Sequence, residues 1–145
     1  MRGRGSRVIP TLDRILETAL YVDDVIRARA FYEGLFALEP MVADDDFVAY
    51  DVAGKSVLLL FRRGGFAHAR SGASGTIPGH DGSGPLHLAF AIPENMLETW
   101  RARLAQHDLA LEATMHWPRG GTSLYVRDPD QHLVELATPG LWPTY

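Results

Sequence analysis

The order of secondary-structure signals runs through the chain twice, and this duplication constrains the fold more than any single motif. Residues 15–22 form a strand-like run, after which Asp23-Asp24 supply a helix cap and a negative first turn. A helix is predicted over 25–36, because Val25, Ala28, Phe31, Tyr32 and Leu35 fall at helical spacing. Three short strands follow at 38–42, 47–52 and 56–61, broken by the acidic turn Asp44-Asp45-Asp46 and by Gly54-Lys55. The pattern then returns, with a strand at 85–92 and a helix opened by Pro93-Glu94 that runs to His107 with Met96, Leu97, Trp100 and Leu104 as its stripe. A strand at 109–115 and a hairpin at 122–136 complete the second copy. The expected fold class is therefore α+β, built of two tandem β-α-β-β-β modules at 12–62 and 85–138 within a single domain at 12–143. Between them, residues 63–84 are rich in Gly and Ser and read as a linker or mobile loop. Residues 1–11 are expected to be a disordered tail.

A chain of 145 residues suits one compact domain, and its apolar fraction of 46% is that of an ordinary globular protein. The formal net charge of −4 advertises no basic face, so nucleic acid is not an expected partner. The absence of Cys excludes disulfides and thiolate metal sites and fits a reducing cytoplasm, the expected location. No run approaches the roughly 18 apolar residues of a membrane span, so no membrane partner is expected.

The hairpin carries the chemical anomaly. Thr122, Leu124 and Val126 alternate with Ser123, Tyr125 and Arg127, the turn Asp128-Pro129-Asp130-Gln131 reverses the chain, and Glu135 returns between Val134 and Leu136. A carboxylate there must reach water, meet a cation or belong to a site, because burying it unpaired costs several kcal/mol or more. Matching the first strands of the two modules sets Glu17 against His87, and matching the last strands sets Leu59 against Glu135. Parity then assigns faces. Leu16, Thr18, Leu20 and Val22 should pack on one helix, and Leu86, Leu88, Phe90 and Ile92 on the other. Glu17, His87 and Glu135 are left together on helix-free faces, in company with Ala19, Ala89 and Ala91, which leave space rather than fill it.

The stretches ILETALYVDDVIRARAFYEGLFAL, GPLHLAFAIP and SLYVRDPDQHLVEL resemble the vicinal oxygen chelate superfamily. That superfamily includes glyoxalase I, fosfomycin- and bleomycin-resistance proteins, methylmalonyl-CoA epimerase and extradiol dioxygenases. The resemblance implies a glyoxalase-like fold, in which paired modules form a curved, partly closed mixed sheet around a cavity. It also implies a divalent ion on Glu17, His87 and Glu135. Two departures bear on the chemistry. The first-strand ligand in most active members is His or Gln, where this chain has Glu17. The fourth position, a carboxylate or Gln in glyoxalase I and the epimerase, is Leu59.

One neutral imidazole and two carboxylates leave coordination positions open and balance a divalent charge, which favours Mn²⁺ or Fe²⁺, with Zn²⁺, Ni²⁺ and Co²⁺ compatible. The implied chemistry is Lewis-acid activation of a small substrate bearing two adjacent oxygens, by a lyase, isomerase or dioxygenase. Tyr125 is the candidate catalytic side chain, with Ser123 and Arg119 as substrate contacts; Arg127 is expected to salt-bridge at the rim. His68 and His80 are read as solvated loop residues. The competing function is a metal-free protein of the bleomycin-resistance type that sequesters a small molecule. The resemblance also implies a homodimer.

Overall fold

The computed structural model describes residues 7–145, so the part of the expected tail that covers residues 1–6 lies outside them. In the first module, strand β1 (Glu17–Val22) leads into helix α1 (Val25–Phe36), whose first turn is capped by Asp24 accepting from the Arg27 amide at 3.1 Å. The helix ends where Ala37 turns left-handed at φ 53°. Strands β2 (Pro40–Ala43), β3 (Phe47–Val52) and β4 (Ser56–Arg62) follow, and the sheet order is β1-β4-β3-β2 with β1 parallel to β4. The Asp44 carboxylate accepts from the amides of Asp46 and Phe47, so the acidic triplet is a self-bonded turn.

Residues 63–84 differ from the expected linker. They contain a short hairpin, β5 (Arg70–Gly72) with β6 (Gly75–Ile77), and their flanks fold back onto the first sheet. The second module then repeats the first: β7 (His87–Ala91), a 3₁₀ turn (Glu94–Met96), helix α2 (Leu97–Gln106), β8 (Ala113–His116), β9 (Thr122–Arg127) and β10 (Leu133–Ala137). Its order is β7-β10-β9-β8, again with the first and last strands parallel. No side chain caps the second helix, its opening turn tightens to 3₁₀, and Met96 is exposed rather than part of the buried stripe.

Both sheets turn their helix-side faces into one shared core. Leu20, Val22, Leu58 and Leu60 come from the first sheet and Leu124, Val126, Val134 and Leu136 from the second, all nearly inaccessible to solvent. The Phe36 and Phe90 rings meet tilted at 4.9 Å between centroids, and Arg103 donates to the carbonyls of Gly34 and Leu35 at the end of α1. The turn before β10 clasps the two modules together. Asp128 accepts from the Tyr32 hydroxyl at 2.7 Å, Asp130 takes the Asp23 amide and pairs with Arg27, and buried His132 bridges the Leu86 amide to the Tyr21 carbonyl. The helix-free faces, which hold the candidate site residues, therefore turn away from the common core as curved, mixed, unclosed sheets. Among the described residues no helix is long and apolar enough to cross a membrane.

Candidate metal centre

The structure brings His87 and Glu135 together. In the parallel ladder His87 pairs with Leu133 and Ala89 with Glu135, so both side chains rise from the same face of neighbouring strands. His87 Nδ1 lies 2.9 Å from the Leu133 carbonyl, which can only accept, so this nitrogen carries a proton. Its other nitrogen, Nε2, stands 3.2 Å from Glu135 Oε1. Orientation of a histidine through Nδ1 with Nε2 left as donor is how proteins present imidazole to a metal. A lone pair facing a carboxylate at this distance calls for a proton or a cation between them, so the pair fits two ligands of a divalent ion.

Glu135 is only 5% exposed, and its burial is made tolerable by a relay from β9. The buried Ser123 hydroxyl donates to Glu135 Oε2 at 2.5 Å while accepting from Trp117 Nε1 at 2.8 Å. Ser123, expected to face substrate, thus has its hydroxyl engaged in orienting the carboxylate. Trp117 is the residue that sequence reasoning missed in this role; its only signal was a polar-tipped aromatic before the turn that leads into β9. Tyr125 lies directly opposite Glu135 in the antiparallel ladder. Burial, and then the charge of Glu135, raise its phenol above the usual range, so it keeps its proton near neutrality and can act as a donor.

The remaining candidates lie elsewhere. Glu17 opens β1 on the other sheet and is exposed, opposite Val57, while Leu59 pairs with Ala19. This register repeats that of the second module, where Glu135 pairs with Ala89, so Leu59 does occupy the position equivalent to Glu135. Among the described residues of one chain, no three His, Asp or Glu side chains meet at metal-binding distance. Arg119 is exposed in the turn before β9. Arg127 pairs with Glu112 at 2.7 Å, a rim contact of the kind expected of it. His68 is exposed, but His80 is not solvated as expected: it is half-buried against Tyr21, Phe61 and Phe66.

Comparison with known proteins bears on this geometry. The family model for the Glyoxalase/Bleomycin resistance protein/Dioxygenase superfamily matches residues 14–136. A lactoylglutathione lyase from Agrobacterium tumefaciens is similar at 32% identity, with 92% of this chain and 99% of that one covered and a TM-score of 0.84. A glyoxalase/dioxygenase from Nostoc punctiforme shares the fold at 18% identity and TM-score 0.66, covering 94% of this chain and 98% of its own. A genomically encoded fosfomycin resistance protein from Listeria monocytogenes does so at 21% identity and TM-score 0.62, covering 92% and 97%.

Proposed function

The chain belongs to the Glyoxalase/Bleomycin resistance protein/Dioxygenase superfamily, and from that premise we propose that it is a divalent-metal-dependent enzyme acting on a small substrate with two adjacent oxygens. One observation carries the proposal: His87, fixed through Nδ1, aims Nε2 at the buried and relay-held carboxylate of Glu135. The third ligand is Glu17 of a second copy. Its place on a separate outward face supports this, as does the segment leading into it, where Val8, Ile9, Leu12, Ile15 and Leu16 are all more than half exposed. So many bare apolar side chains in one extended arm want a partner surface.

A bound Mn²⁺ or Fe²⁺ would supply Lewis-acid stabilisation of negative charge developing on a substrate oxygen. The chain supplies the rest. Ser123 and Trp117 hold the Glu135 carboxylate in one orientation, and Tyr125, protonated at neutral pH, donates a hydrogen bond to a substrate oxygen. Leu59 offers no ligand or base at the fourth position, so the proton-shuttling chemistry of glyoxalase I and the epimerase is disfavoured, including that named for the Agrobacterium relative. Another lyase or isomerase reaction, or dioxygenation, is the candidate chemistry.

The second reading, a metal-free binding protein, draws on a specific observation: at 3.2 Å a protonated His87 and Glu135 would make an ion pair and need no metal. Elemental analysis of protein prepared without chelators, beside His87→Ala, separates the two. Near-stoichiometric divalent metal that is lost in the variant is expected. Failure to take up metal after reconstitution with Mn²⁺, Fe²⁺, Ni²⁺ or Zn²⁺ would leave only the binding protein.

A further inference from the structure

The open face of the first sheet is not uniform along its length. At one end stands Glu17; Ala19 and Leu59 form a low middle; at the far end three aromatic side chains stand in a row across adjacent strands, since Tyr21 pairs with Phe61 and Phe61 with Phe47. Glu17 and Tyr21 share parity on β1, so the row begins about 13 Å from Glu17 at the usual strand rise. Segment 63–84 adds two more rings from above. Phe66 meets Phe61 at 4.7 Å, and His80 meets Phe61 at 4.6 Å and lies nearly parallel to Phe66. Arg70 covers the Phe66 ring at 4.0 Å.

The segment is built to lie there. A Cβ on Gly82 would stand 2.4 Å from the Tyr21 ring, so only glycine permits this approach without a shift. The Asp81 carboxylate accepts from the Gly64 amide, and the His80 amide donates to the Phe66 carbonyl, closing the segment on itself. Within the aromatic wall one polar contact is made, between the Tyr21 hydroxyl and His80 Nδ1 at 2.7 Å. All five rings remain half-buried rather than sealed, so the wall keeps apolar surface accessible.

We propose that this wall is the specificity element of the site: Tyr21, Phe61, Phe66 and His80 receive a flat aromatic or unsaturated group carried by the ligand whose paired oxygens are bound beside Glu17. The inference rests on the metal-dependent reading above and adds the substrate class to it. Ala19 and Leu59 give the ligand's body its floor, and the segment 63–84 fixes how far its flat end reaches.

Two chelators with the same oxygen pair test it: acetohydroxamate, which has no ring, and 2-naphthohydroxamate, which has a long flat one. Both are titrated calorimetrically into Mn²⁺-loaded wild-type protein and into the Phe66→Ala and His80→Ala variants. The naphthyl ligand is expected to bind about tenfold or more tighter than acetohydroxamate to wild type, from ring burial and stacking. That preference is expected to shrink to about threefold or less in both variants while acetohydroxamate affinity holds. Equal affinities in wild type, or a preference that survives in both variants, would overturn the wall and leave the metal site standing. If neither hydroxamate bound, the metal-dependent reading would fall and the inference with it.

Discussion

Ser123 is a small residue with a large consequence, since its hydroxyl is the one group holding the buried Glu135 carboxylate to Trp117. Ser123→Ala should cost about 1–3 kcal/mol of stability, because the buried Glu135 carboxylate and the half-buried Trp117 N–H lose their partner. It should also weaken metal affinity by about 10–100-fold, the usual effect of removing a group that orients a ligand. Chemical denaturation and metal titration of the variant check both. Tyr32 makes a different prediction. Its buried phenol donates to Asp128, and burial, then the Asp128 charge, push its pKa well above the ordinary 10.0. The folded chain keeps a proton that the unfolded chain releases, so this contribution is fully present below pH 10 and is lost as pH rises further. The expected slope from this one group is up to about 1.4 kcal/mol per pH unit. Urea midpoints across that range should fall more gently in Tyr32→Phe than in wild type. Some of this scale was legible in the chain: a carboxylate between Val134 and Leu136 stood out as one that needs a partner, and the structure gives it the Ser123 hydroxyl. The relay was not legible, because Trp117 and Glu135 both reach Ser123 only once β9 has paired with β8 on one side and β10 on the other.

The elements whose apolar spacing is regular were readable, and α1 runs over the residues its stripe marks. The register that equates Leu59 with Glu135 was readable too, because a period-two pattern fixes which face each residue takes. Segment 63–84 was not, since Gly and Ser carry no periodicity and its three-residue strands are shorter than any pattern can mark. Its order comes from tertiary contact with Tyr21 and Phe61. Gly82→Ala should therefore lift the segment off Tyr21 without unfolding the modules. Limited proteolysis is expected to cut within 63–84 faster in the variant, with the global thermal midpoint nearly unchanged; equal cutting would mean that the segment is held by other contacts.

At the scale of the molecule, repetition of β-α-β-β-β determined the architecture, and it was visible in the order of strand and helix signals. The way the modules sit was not. Asp128, Asp130 and His132 clasp the second module to the first through contacts separated by about a hundred residues, and the shared core that results turns both helix-free faces outward. His132 gave no sign of this duty in the sequence, where it is one polar residue beside a turn. The arrangement means that one chain holds His87 with Glu135 in one place and Glu17 in another, so the proposed three-ligand site requires two copies that share it. Co-expression of Glu17→Gln and His87→Ala chains in equal amounts measures this directly through metal content. Each variant alone should be nearly metal-free, whereas mixed dimers regain one intact site, restoring about a quarter of wild-type metal per chain if pairing is random. Metal content that stays at the level of the single variants, in mixtures shown to contain mixed dimers, would contradict a site built from two chains.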